Sequence, residues 1–171
     1  MPAYTMEELK SMIVVNMGDF KLARGEQKLI TRDLGSCVGI AIRDPGAEVG
    51  GLLHIMLPEY NAKQAVQPIN LAKYADAGLD EMVKGLILKG ADKNKLVAKI
   101  AGAAHMVKTE DVPEDKDISS RNLAAVKKKL ANLGIPVIAE EVGNYYPRTV
   151  VFELHTGGFR IITSGMQDRL L

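Results

Sequence analysis

Cys37 is the only cysteine in the chain, and His54 follows it by seventeen residues, each near the outer end of an apolar run flanking Asp44-Pro45-Gly46-Ala47. A thiol beside an imidazole suits acyl chemistry, in which sulfur attacks a carbonyl carbon and the imidazole takes and later returns the proton. Whether the two meet depends on the strands that carry them. Pro45 presets φ and Gly46 permits φ > 0, so the segment predicts a β-hairpin. A symmetric loop centred on Pro45-Gly46 sets Cys37 directly opposite His54, on one face, with Cβ atoms about 4.5–5.5 Å apart. Gly35-Ser36, just before the thiol, offers the backbone N–H groups of Ser36 and Cys37 to a developing oxyanion.

The faces of the hairpin agree with that pairing. Val38, Ile40, Ile42, Val49, Leu53 and Ile55 form a continuous apolar face that belongs in a core. Cys37, Gly39, Ala41, Gly50, Leu52 and His54 share the other face, where small residues leave room for a substrate or a closely packed backbone. A loop one residue longer or shorter would separate Cys37 and His54 onto opposite faces. The competing reading is structural: a lone cysteine is commonly a small buried hydrophobe, and a strand histidine can be a satisfied core residue. The shared register is what favours chemistry.

The remaining composition narrows the class. With 22 basic and 21 acidic residues interspersed, the net charge is +1, which leaves no electrostatic footprint for nucleic acid or an anionic membrane. One cysteine makes no internal disulfide, and no Cys/His cluster has metal-ligand spacing, so neither a metal nor a cofactor is expected. No apolar run approaches the roughly 20 residues that span a bilayer, and no signal-peptide pattern opens the chain. The expectation is a cytoplasmic protein with no membrane insertion, its 171 residues forming one domain.

Around the hairpin, a short helix is expected over Met6 to Ser11, then strands at Ile13–Val15, Asp19–Ala23 and Lys28–Thr31. Apolar residues from Ile69 to Leu86 recur at helical spacing, with Pro68 as the first helical residue and Gly90 as the stop. Strand Leu96–Ala101 precedes a charged loop at Thr109–Lys116, and Ser119 or Ser120 caps a second helix over Leu123, Val126, Leu130 and Leu133. A strand over Ile135–Val142 and a hairpin of Arg148–Leu154 with Phe159–Thr163 complete the chain. About eight strands and two long helices make a mixed α/β sandwich, helices packed on sheet. His105 and His155 lack a cysteine in comparable register, Lys127-Lys128-Lys129 reads as a solvated face, and Asp76 with Asp80 lacks a third acidic partner for a metal.

These residues, taken together, resemble the CheD family of chemoreceptor glutamine deamidases. The resemblance rests on Thr31 six residues before Cys37 in Leu34-Gly35-Ser36-Cys37-Val38-Gly39, and on Gly50-Gly51-Leu52-Leu53-His54-Ile55-Met56-Leu57-Pro58. Lys73-Tyr74-Ala75-Asp76, Ala98 to Ala104, Arg121-Asn122 and Leu133 to Glu140 extend it over nearly the whole chain. It implies a three-layered α/β sandwich with a mixed, largely antiparallel sheet and two long helices. It also implies a catalytic triad of Cys37, His54 and Thr31, the last orienting the imidazole. The implied activity is conversion of selected glutamines of methyl-accepting chemoreceptors to glutamate through a cysteine thioester, with a CheC-type CheY-phosphate phosphatase as partner. The chain departs from the family pattern at Asn144-Tyr145-Tyr146-Pro147, where a glycine-rich turn is usual. The alternatives are a non-catalytic binding module for that phosphatase or a receptor, and a receptor methylesterase using the same cysteine.

Overall fold

Sequence alternation and periodicity become three helices and ten strands in the computed structural model, which describes residues 4–107, 112–113 and 115–171. They are α1 (Met6–Ser11), β1 (Ile13–Val14), β2 (Asp19–Arg24), β3 (Lys28–Leu34), β4 (Val38–Asp44), β5 (Val49–Ile55), α2 (Ala75–Leu88), β6 (Val97–Gly102), α3 (Ile118–Asn132), β7 (Val137–Val142), β8 (Arg148–Glu153), β9 (Gly158–Ile162) and β10 (Arg169–Leu170). Two five-stranded sheets result, ordered β1-β3-β8-β9-β10 and β2-β5-β4-β6-β7. Among the strands of the described residues only β1 with β3 and β6 with β7 run parallel, so the β structure is mixed and largely antiparallel as expected, but divided between two sheets.

Three layers follow from which faces are apolar. Val38, Ile40, Ile42, Leu53 and Ile55 pack outward against Leu79, Met82, Val83 and Leu86 of α2 and Val126 and Leu130 of α3. The opposite face of that sheet meets the first sheet over Leu29, Leu34, Ala41, Leu52, Val150 and Phe152, and Cys37 belongs to this second core. Strands β4 and β5 are therefore covered on both sides, which is why their sequences are almost continuously apolar. Tyr4, Leu9 and Met12 close the outer face of the first sheet over Ile30 and Val151.

The hairpin register differs from the expected one by a full step. Asp44 pairs with Val49 across the four-residue loop 45–48, so the centre falls after Gly46, and His54 lies opposite Gly39 rather than Cys37. Asp44 causes this: its buried Oδ1 accepts the N–H groups of Gly46 (2.9 Å) and Ala47 (3.3 Å), and Oδ2 accepts the Asp92 N–H at 2.8 Å. Because the shift is even, Cys37 and His54 keep a common face and become diagonal neighbours, about 7–8 Å apart and within reach of a ring side chain.

Helix boundaries are corrected by competing hydrogen bonds. Pro68 does not begin a helix; Gln67–Pro68 is cis, and Asn70 Oδ1 accepts the Ala72 N–H to cap a single 3-10 turn, Leu71–Lys73. Lys73 O then accepts the N–H groups of Met56 and Leu57, and Ala75 N–H donates to Leu57 O, holding Tyr74 extended and delaying α2 to Ala75. At α3 the cap is Asp117, whose Oδ2 accepts both the N–H and the hydroxyl of Ser120 at 2.9 Å. Ser119 is buried instead and donates to Ala104 O at 2.7 Å. The loop expected over Thr109–Lys116 lies, for residues 109–111 and 114, outside the described residues.

Asp44→Ala is expected to lower the unfolding free energy by about 1–3 kcal/mol at neutral pH, since buried N–H groups lose their acceptor. The Asp92 N–H, then those of Ala47 and Gly46, hold the Asp44 carboxyl below its ordinary value against the cost of burial. Its contribution is complete above about pH 4 and is lost as pH falls through the lowered folded value, so wild-type and variant urea midpoints should converge in acid.

Candidate active site

The two sheets are joined at the site by a short chain of hydrogen bonds. His54 projects inward from β5 and Thr31 inward from β3, and His54 Nδ1 lies 2.7 Å from Thr31 Oγ1 with both side chains buried. The Thr31 hydroxyl has one proton and gives it to Val15 O at 2.8 Å. Val15 is held in turn by its own N–H, which donates to Ile30 O at 2.8 Å. Oγ1 can therefore only accept from the ring, so Nδ1 carries the imidazole proton and Nε2 carries the lone pair. Nε2 is buried and makes no hydrogen bond among the described residues, Cys37 Sγ included. Thr31 and His54 are thus joined as expected, while Cys37 shares their side of the sheet without a bond to the ring.

Cys37 is set in a turn between the bulged end of β3 and the start of β4. Pairing of β3 with β8 shifts between Thr31 and Leu34, where Asp33 takes φ 59° and its carbonyl accepts the Gly35 N–H at 2.9 Å. The end of β6 then grips the turn: Ala104 N–H donates to Gly35 O and Ala103 N–H to Cys37 O, each at 2.8 Å. A Cβ on Gly102, which sits at φ +117°, would fall 2.3 Å from Cys37 O, so only glycine allows this approach. Asn122 of α3, fully buried, donates from Nδ2 to Ser36 O and Met56 O, both at 3.0 Å. The N–H groups of Ser36 and Cys37 donate to no backbone carbonyl among the described residues.

The space beside the small residues is filled. A Cβ on Gly39 would lie 2.9 Å from Leu34 Cδ1, and one on Gly50 would lie 2.3 Å from Leu154 Cδ1, so both glycines serve the approach of the two sheets. Substrate room at Gly39 and Gly50 is therefore absent, whereas Ala41 lines a cavity away from the thiol with Arg43, Lys99, Phe152 and Gly157. The accessible margin of the site is the end of the sandwich, where Gly35, Ser36 and Met56 are half-buried and the exposed Met106 lies over Gly35.

Burial governs the electrostatics. It lowers the His54 pKa to about 4, with the exposed Asp33 carboxylate opposing it in part, and it raises the Cys37 thiol above its ordinary value. At neutral pH the resting pair is a neutral thiol and a neutral imidazole. With no bond between them and burial disfavouring both ions, charge separation waits until a substrate arrives.

Other residues singled out in the sequence have different partners. His105 Nδ1 lies 3.0 Å from Asp117 Oδ2 and His155 Nδ1 lies 2.7 Å from Glu48 Oε1. Asp76 Oδ1 accepts the Tyr60 N–H at 2.9 Å, and Asp80 pairs with Lys129 at 2.8 Å. Lys127 pairs with Glu140 at 2.9 Å. In the loop at 144–147, Asn144 O accepts the His105 N–H at 2.8 Å and the Tyr145 ring lies 6.1 Å from that of His105. Arg148 anchors the loop from below, donating to Glu141 and to Gly143 O while its guanidinium lies 4.7 Å from the Tyr146 ring centre. Val15 and Asn122 escaped assignment of a role. Val15 acts through a backbone carbonyl, which carries no residue signature, whereas Asn122 did leave one: a polar residue in phase with Ser119, Val126 and Leu130 on the buried face of α3.

Fold and site describe a two-sheet α/β sandwich with a buried histidine–threonine pair beside a lone cysteine. The family model described as CheD chemotactic sensory transduction matches residues 56–163. A probable chemoreceptor glutamine deamidase CheD of Lachnoclostridium phytofermentans is 41% identical over 158 residues, 92% of this chain and 97% of its own length. The protein so named in Moorella thermoacetica is 42% identical over 154 residues, covering 90% and 91%. A probable chemoreceptor glutamine deamidase CheD 1 of Methanosarcina acetivorans is 38% identical over 160 residues, 94% and 97%. Among solved structures, the Bacillus licheniformis hypothetical protein YfiH overlaps 72% of this chain and 49% of its own at 16% identity and a TM-score of 0.45. The chain belongs to the CheD family. No helix among the described residues is long and apolar enough to cross a membrane.

The neutral pair has a pH signature. Alkylation of Cys37 by iodoacetamide should keep accelerating past pH 8.5, the region where a free thiol levels off, because a raised pKa leaves less thiolate at every lower pH. A plateau near neutral pH would instead reveal a thiolate–imidazolium pair.

Proposed function

We propose that this protein is a protein-glutamine deamidase that converts glutamine side chains of methyl-accepting chemoreceptors to glutamate. The observation that carries this reading is the Val15–Thr31–His54 hydrogen-bond chain, which leaves a lone pair on Nε2 on the same face as Cys37. It stands beside the family membership and the names of the relatives.

In the reaction, His54 Nε2 takes the thiol proton as Sγ bonds to the carboxamide carbon, and the carbonyl π electrons move onto oxygen. The backbone N–H groups of Ser36 and Cys37 hold that oxyanion. The C–N bond then breaks as the imidazolium returns its proton to nitrogen, releasing ammonia and leaving a thioester. Water, deprotonated by His54, attacks the thioester carbon, and sulfur departs to regain the proton. Thr31 keeps Nδ1–H aligned throughout. A hydroxyl adds no negative charge, so it stabilises imidazolium less than the aspartate of a serine protease does, and slow turnover follows. On the family resemblance, the protein works in the cytoplasm and has a CheC-type CheY-phosphate phosphatase as partner.

Incubation with the cytoplasmic helices of a chemoreceptor from the same cell should release ammonia and raise the mass of particular glutamine peptides by about one dalton each, as amide gives way to acid. Cys37→Ala should abolish the shift, and Thr31→Val should slow it on the order of 100-fold by releasing the imidazole. A mass shift undiminished in Cys37→Ala, or none on any such receptor, would overturn the assignment and favour a binding module.

Wild-type kcat/KM should be level from about pH 5 to pH 8 and fall as pH drops through about 4, where protonated Nε2 can no longer accept the thiol proton. An acid limb near pH 6.5, the ordinary value for histidine, would contradict the burial of His54 as the controlling influence.

A further inference from the structure

Three consecutive carbonyls hold the turn that presents the thiol. Gly35 O and Cys37 O are held by the backbone N–H groups of Ala104 and Ala103, which every residue but proline supplies. Ser36 O, between them, is held by a side chain: Asn122 Nδ2, at 3.0 Å. The second Asn122 N–H bond goes to Met56 O, also at 3.0 Å, just past the end of β5, the strand that carries His54. Both partners are oxygens that only accept, so the amide nitrogen must face them, and Asn122 Oδ1 is left buried without a partner. A buried unpaired carbonyl costs stability, and a leucine of similar shape would avoid it. The cost falls where a functional contact would be expected.

Ser36 C=O and Cys37 N–H are the two ends of one peptide group. The only cis peptide bond among the described residues is Gln67–Pro68, so this peptide is trans and its N–H points opposite to its C=O. Fixing the direction of Ser36 O therefore fixes the direction of Cys37 N–H. A donor bound at the carbonyl also polarises the same peptide and strengthens its N–H as a donor. Resting on the deamidase reading above, we propose that Asn122 is a positioning residue that aims the Cys37 N–H at the oxyanion, and that it acts on the acyl-transfer step without acting on the thiol.

That division makes the role testable, because alkylation of Cys37 needs the thiolate but forms no oxyanion, whereas deamidation needs both. Asn122→Leu, which fills the volume, and Asn122→Ala, which only removes the amide, are compared with wild type on chemoreceptor helices. Each should lower kcat on the order of 10- to 100-fold with KM unchanged, less than the ~10²–10³ lost when an oxyanion donor is itself deleted. The rate and pH profile of iodoacetamide alkylation should stay within about twofold of wild type, the margin of a contact made only in the transition state. An unchanged kcat in either folded variant overturns the proposal. So does an equal loss of alkylation and deamidation, which would place Asn122 on the thiol, or loss of the folded state in both variants, which would give it to the fold. Wild type without deamidase activity would instead be a failure of the deamidase reading, separable because variants are scored only against an active parent.

Discussion

The bond between Thr31 and His54 is the constraint on which the site depends, because it crosses from one sheet to the other. Two separately hydrogen-bonded sheets have few polar means of fixing their relative position; apolar packing tolerates small slides. Here a hydroxyl and a ring, with Val15 O beyond them, hold the sheets to one alignment at the point where chemistry is proposed. The same bond chooses the tautomer. Were Thr31 free to donate to Nδ1, the proton would sit on Nε2 and the ring could not accept from sulfur.

That alignment has a thermodynamic consequence. Packing β5 between helices and a second sheet removes His54 from water, and the loss of hydration outweighs the distant Asp33 carboxylate. The ring stays neutral down to about pH 4. A site built this way stores no ion pair in its resting state; charge appears only when a carbonyl is present to receive it. Such an arrangement protects a solitary thiol from adventitious oxidation, since the thiolate is the reactive form.

Placement of the thiol is a separate matter from placement of the ring. Cys37 is held by the end of β6 and by Gly102 at a conformation only glycine accepts, while Asn122 from the helical layer holds the carbonyl of Ser36 just before it. All three layers thus converge on one turn: the first sheet supplies Thr31, the second supplies His54 and the turn itself, and α3 supplies the peg. The irregularity at Arg32–Asp33 shifts the pairing of β3, which resumes at Leu34 opposite Arg148 just before the chain crosses from one sheet to the other.

Much of this was determined by the sequence alone. Alternation placed the strands, the apolar stripes placed the two long helices, and the even spacing of Cys37 and His54 across a turn put both on one face. Parity is robust because side chains alternate with period two, so a one-residue displacement of the loop centre shifted the pairing by two and moved the partner of His54 from Cys37 to Gly39 without changing the face. Tertiary structure decided everything that depends on competition between distant groups. Asp44 chose the loop because Asp92 lies beside it, and Lys73 stopped the helix expected from Pro68 because the end of β5 needed its carbonyl. The division into two sheets, the neutrality of the site, and the roles of Val15 and Asn122 arise from contacts between residues far apart in the chain. Asn122 shows in the sequence as a polar residue on a buried helix face, but which backbone carbonyls it meets, and the loss of water around a ring, have no signature in residue type, so only the folded chain reveals them.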